Sequence, residues 1–200
     1  MPDPILFYFD FVSPYGYLGS VGVERIAAAR GLTVEWRPIL LGISVLKVMG
    51  LKGVADTPLK RDYVRRDLER CARLMDIDFN RGDAPLQPLT AARAFLWLNA
   101  RDAALAKRFA QGVYHAQWAE ARDMSSPDAV ADLGAGLGLD RAELLAAIGD
   151  EGVKAGLRAQ VETAIEAGVF GVPTFVVDGE MFWGADRLPM LARWLDGERW

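Results

Sequence analysis

The chain has 200 residues, of which 52% are apolar and 25% charged, with a mean hydropathy of +0.09. That balance describes a compact chain long enough to bury about 70% of its unfolded surface. With 23 basic and 27 acidic residues, a net charge of −4 and no block of like charge, it lacks the electrostatic footprint of a nucleic-acid or anionic-membrane binder. Cys71 is the only cysteine, which excludes an intrachain disulfide, a CxxC redox pair and a cysteine-based zinc site, and no metal is expected.

Met1-Pro2-Asp3-Pro4 lacks the basic region of a signal peptide, and no uninterrupted apolar run reaches the roughly 18 residues of a membrane span. The expected location is cytoplasmic. Residues 5–10 are short, apolar and aromatic, as in a buried strand. Ser13 and Pro14 then mark a helix entry, with Pro14 at the first-turn position and apolar spacing up to Gly31. A second strand is expected over 32–37, stopped by Pro38, so that strand, helix and strand make a βαβ unit.

Residues 47–56 are punctuated by glycine and read as a mobile loop. Helices are predicted over 62–76, 91–110, 113–122, 127–137, 141–148 and 151–167, with Thr57 and Ser126 as candidate caps. Strand signals return at 174–177 and 180–183, joined by Asp178-Gly179, the strongest hairpin signal in the chain. A last helix follows Gly184-Ala185-Asp186. The expected fold is α/β. A discontinuous βαβ…ββα domain (1–40 and 169–200) is interrupted by an all-helical insertion (41–168), whose last helix packs back on the sheet.

The segments FYFDFVSPYGYLGS, PLKRDYVRRDL and FGVPTFVVDGEMFWGADRLPML resemble the 2-hydroxychromene-2-carboxylate isomerases and the related kappa-class glutathione transferases, the DsbA-like branch of the thioredoxin superfamily. The resemblance covers essentially the whole chain. It implies a thioredoxin-like domain with a helical insertion, glutathione as cofactor and a homodimer. It also implies that Ser13 donates its hydroxyl to the glutathione thiolate, with Pro14 and Tyr15 contributing the helix N-terminus. From position alone, Ser13 reads equally as a helix cap.

By the same resemblance Val172-Pro173 is a cis bond that turns the backbone of Val172 toward the ligand's peptide, and Ala185-Asp186 receives the γ-glutamyl end; Trp183 just before it reads either as a wall of the pocket or as core. Lys60 is implied to hold a carboxylate, with Lys47 and Lys52 competing for that role and Tyr15 available to the aromatic part of the substrate. Loops around 42–56 and 80–90 face that substrate. The chain departs from its relatives at Gly16, where many carry serine, and in the 50–56 loop, which lacks their asparagine. His115 and Cys71 read as structural.

The implied activity is reversible thiolate addition to a conjugated aromatic pyruvate, interconverting 2-hydroxychromene-2-carboxylate and trans-o-hydroxybenzylidenepyruvate. Two other readings stay open: a kappa-like transferase that conjugates small electrophiles, and a non-redox binding or chaperone module on the same frame.

Overall fold

Alternation along the first strand decides how the two ends of the chain meet. The computed structural model describes residues 3–83 and 87–200; Met1 and Pro2, and residues 84–86 of the loop expected to face the substrate, lie outside them. Strand β1 (Ile5–Phe9) runs parallel to β2 (Val34–Pro38) and antiparallel to β3 (Thr174–Val177), which pairs antiparallel with β4 (Glu180–Trp183). The order is β2-β1-β3-β4. Ile5, Phe7 and Phe9 point to one face, beside Trp36 and Phe175, while Leu6 and Tyr8 point to the other, as the two-residue period of a strand requires.

Pro38 does not stop the second strand short; it occupies the last register position, opposite Phe9. An edge strand tolerates a residue without an N–H there, and Ile39 N–H resumes the ladder by donating to Phe9 O at 2.8 Å. At the hairpin, Asp178 (φ +53°) and Gly179 (φ +80°) are both left-handed, the geometry whose twist matches antiparallel strands.

Helix α1 (Pro14–Ala28) crosses the Phe7 face of the sheet, and α8 (Glu151–Glu166) covers the Tyr8 face through Ala164. A Cβ at Gly19 would lie 2.7 Å from Cβ of Pro173. Glycine therefore lets α1 rest on the Val172–Pro173 peptide, which is cis. After β2 come a short α2 (Leu41–Ile43), a π turn at Ser44–Val48 and a 3-10 turn at Val54–Asp56.

Helix α3 (Arg61–Met75) packs on α1, and α4 (Pro88–Asn99), α5 (Ala103–Trp118), α6 (Pro127–Gly136) and α7 (Arg141–Gly149) follow. Two predicted boundaries are corrected here. The helices expected at 91–110 and 113–122 break instead at 100–102, because the Asp102 carboxylate accepts Leu105 N–H at 2.9 Å and caps a new start. Gly112 then sits inside α5, at the place where Leu133 approaches. Thr57 caps no helix: its hydroxyl donates to Gly53 O, and α3 begins at Arg61 without a side-chain cap. Ser126 does cap, accepting Ala129 N–H at 3.1 Å.

Phe9 touches Phe95 of α4, Trp36 of β2 and Phe11, with ring centroids 5.1, 5.1 and 5.2 Å away. Each buried phenylalanine contributes about 1.5–3 kcal/mol of transfer free energy. The helices are thereby fixed to the end of β1 from which the turn into α1 departs. Helix α9 (Leu188–Leu195) closes the chain against α1. Among the described residues no helix is long and apolar enough to cross a membrane.

Candidate active site

Between β1 and α1 the backbone closes a turn in which Ser13 N–H donates to Asp10 O at 2.9 Å. Three side chains of α5 fasten this turn. Tyr114 O–H donates to the same Asp10 carbonyl (2.9 Å), and Gln117 Nε2 and Trp118 Nε1 donate to Phe11 O (2.9 and 3.0 Å). Buried carbonyls need such partners, and these come from more than a hundred residues away in sequence.

Ser13 is buried and caps α1, its Oγ accepting Gly16 N–H at 3.0 Å. A hydroxyl both accepts and donates, and among the described residues the Ser13 hydrogen has no acceptor. Capping the helix and donating to an outside group are therefore compatible. Pro14 has no N–H to satisfy, and the helix N-terminus beside Ser13 favours negative charge.

Asp10 is a component of the site that sequence reasoning missed. The residue is 1% exposed. One carboxylate oxygen accepts Val12 N–H (3.1 Å) and the other Leu41 N–H (2.8 Å), which ties the turn to the start of α2. Burial pushes its pKa up to about 7, against the pull of those two N–H groups. The available signal was a carboxylate inside the aromatic run Phe7-Tyr8-Phe9-Asp10-Phe11. A turn further on, the buried Ser44 hydroxyl has no partner among the described residues.

Tyr15 donates its hydroxyl to Asp67 of α3 at 2.8 Å, so its ring and backbone are what remain for a ligand. Burial, reinforced by Asp67, raises the phenol above its ordinary range. Cys71, one turn along α3, is pushed up by burial and then by the charge of Asp67, with Asp186 adding to it. A thiol held in its neutral form is a poor nucleophile. Gly16 has a steric cause, since a Cβ there would lie 2.7 Å from the Tyr114 hydroxyl; a larger side chain has no room beneath this tyrosine.

Pro173 stands against α1 at Gly19, and the 3-10 turn holding Ala185 and Asp186 also packs on α1. Both segments thus share the helix that Ser13 begins. Among the described residues no hydrogen bond engages the backbone N–H or C=O of Val172. Asp186 is exposed and pairs with Arg187 at 3.0 Å. Trp183 is half exposed and meets Phe170 edge-on at 4.9 Å, beside Gly171; no local pattern announces this aromatic pair.

Lys47, Lys52 and Lys60 are all exposed, and among the described residues no hydrogen bond or ion pair joins any of them to the Ser13 turn. His115 is exposed near Glu120 at 3.4 Å. Among the described residues no group of three or more metal-ligating side chains could hold an ion.

A sheet built from both ends of the chain, with a cis-proline loop against the helix that leaves β1, defines a thioredoxin-like protein carrying a helical insertion. Residues 4–196 match the DSBA-like thioredoxin domain family, and the chain belongs to it. It is 34% identical over 189 residues to the 2-hydroxychromene-2-carboxylate isomerase of Pseudomonas putida, covering 92% of this chain and 90% of the relative. It is 28% identical over 213 residues to the glutathione S-transferase kappa 1 of Homo sapiens, covering 100% and 93%. A solved structure of a 2-hydroxychromene-2-carboxylate isomerase superposes with a TM-score of 0.88 at 28% identity, covering 97% of this chain and 95% of that one.

Proposed function

We propose that the protein is a glutathione-dependent isomerase that interconverts 2-hydroxychromene-2-carboxylate-type and trans-o-hydroxybenzylidenepyruvate-type acids. The observation that carries this reading is Ser13: a buried hydroxyl at a helix N-terminus, already accepting from Gly16 and left with one hydrogen to donate. That donor suits a thiolate. The unpaired backbone of Val172 suits a peptide, so the residues present fit glutathione. The relatives named isomerases and kappa transferases give the same direction.

When bound, glutathione supplies a thiolate that adds to the conjugated acid, frees its former double bond to rotate, and departs unchanged. Ser13 donates toward the sulfur, and Pro14 and Tyr15 bring the helix N-terminus to it. Lowering a thiol pKa from about 8.5 to about 7 takes about 2 kcal/mol. A single hydrogen bond to a charged group is worth about 1.5–3 kcal/mol, so Ser13 suffices.

Val172, beside Pro173, pairs with the ligand backbone as an added strand would. Asp186, next to Ala185, meets the ligand's ammonium group. Lys60, with Lys47 and Lys52, offers cations to carboxylates, and Trp183 and Tyr15 offer ring faces. In this reading 1–40 and 169–200 carry the sulfur site, and 41–168 supplies the walls facing the acid.

Calorimetry with glutathione, followed by the absorbance change of the chromene carboxylate with the free thiol counted, tests the reading. Turnover without thiol loss is expected; stoichiometric thiol loss with a general electrophile identifies a transferase instead, and no binding at millimolar glutathione sinks both. Ser13→Ala is expected to lower the rate about 10- to 100-fold, beyond a capping loss of about 1 kcal/mol read separately in denaturant. An undiminished rate refutes its role.

A further inference from the structure

The buried carboxyl under the turn has no part in the scheme above, yet its position gives it one. Because Ser13 N–H donates to Asp10 O, the two residues are the ends of a four-residue turn, and their Cα atoms lie within about 7 Å. The groups that face Asp10 are few. Val12 N–H and Leu41 N–H meet its carboxylate, and Tyr114 of α5 meets its carbonyl. Tyr114 is itself held protonated, its pKa driven well up by burial and then by Asp10. Arg37, on the adjacent strand, is engaged by Glu35 and Tyr8. Among the described residues no ion pair reaches Asp10.

An anion so placed, with no cation beside it, opposes any second anion nearby. We propose that the Asp10 carboxyl and the sulfur of a thiol bound at Ser13 share a single negative charge, so that Asp10 sets the acidity of that thiol. This inference rests on the glutathione reading. With Asp10 protonated, the sulfur gives up its proton readily, and the turn carries one charge. With Asp10 ionised, loss of the second proton is driven to higher pH. By reciprocity a bound thiolate must make Asp10 a weaker acid to the same extent. Asp10 is thus a positioning residue for charge rather than a group that touches substrate.

The test is a titration of the thiolate ultraviolet band in protein saturated with glutathione. Asp10→Asn removes the competing charge while keeping one acceptor oxygen. It is expected to lower the thiol midpoint by about one pH unit, with the two curves together on the acid side, where Asp10 is protonated, and parting as Asp10 ionises. Equal midpoints in the two proteins overturn the proposal.

A second measurement needs no variant. The Asp10 carboxyl carbon is followed by NMR in the wild-type protein bound to glutathione or to S-methylglutathione, which has no ionisable thiol. A midpoint higher by about one pH unit with glutathione is expected, and identical midpoints overturn the proposal even if the variant fails to fold. Binding heat with equal midpoints removes this inference alone. Absence of binding heat for both ligands removes the glutathione reading with it.

Discussion

The turn from Asp10 to Gly16 and the segment from Ser44 to Lys60 are built on opposite terms. In the turn, the carbonyls of Asp10 and Phe11 are held by Tyr114, Gln117 and Trp118 of α5, and the Asp10 carboxylate by two backbone N–H groups. Across the segment, Leu46, Val48, Met49, Leu51, Val54 and Leu59 are exposed, Leu59 almost completely at 99%, and Lys47, Lys52 and Lys60 stand among them. Regular structure there is limited to a π turn and a 3-10 turn. Fixed geometry has been built where sulfur chemistry would need it, by donors distant in sequence. Apolar and basic groups remain uncommitted where an aromatic acid would be recognised.

Breaking the brace should have the largest effect. Trp118→Ala removes a fully buried indole and one of the donors to Phe11 O, with an expected loss of about 3–5 kcal/mol in the denaturant midpoint. A loss under about 1 kcal/mol would mean that the Trp118 indole is no part of the brace.

A smaller effect is expected from Gly16→Ala, whose Cβ would press on the Tyr114 hydroxyl. Overpacking costs about 1–3 kcal/mol, offset by up to about 1 kcal/mol of helix propensity. In a Tyr114→Phe background most of the cost should vanish. A double-mutant cycle showing no coupling would dismiss the steric account of Gly16.

The smallest effect falls in the loose segment. Leu51→Ser and Leu59→Ser should change stability by no more than about 0.5 kcal/mol, while raising KM for the acid and leaving glutathione affinity unchanged. A stability loss above about 1 kcal/mol in either variant would place the segment in the packed structure and dissolve the contrast.

Local signals were legible where a single residue type has a single geometric use. The Asp-Gly hairpin, the Ser13-Pro14 helix entry and the Ser126 cap could be read because turn and cap chemistry is confined to neighbouring residues. Thr57-Pro58 carries the same kind of signal and misled, because Thr57 satisfied Gly53 O rather than a helix N–H. The break before Asp102 was hidden by continuous helical propensity over 91–110, which a single capping carboxylate overrode. The ligand roles expected of Ser13, Val172-Pro173 and Ala185-Asp186 came from resemblance, not from spacing.

By itself the sequence determined the α/β character, the helix-rich middle, the absence of a paired cysteine and the DsbA-like relationship, because apolar period, turn residues and composition act locally or sum over the chain. Only the tertiary structure decided that the carboxylate just past an aromatic strand lies buried at the base of the Ser13 turn. It also decided that Tyr114 leaves no room for a side chain at 16, and that Tyr15 spends its hydroxyl on Asp67. Burial, and contacts between residues 52 or 104 positions apart, depend on how helices pack on the sheet, and no local pattern encodes them.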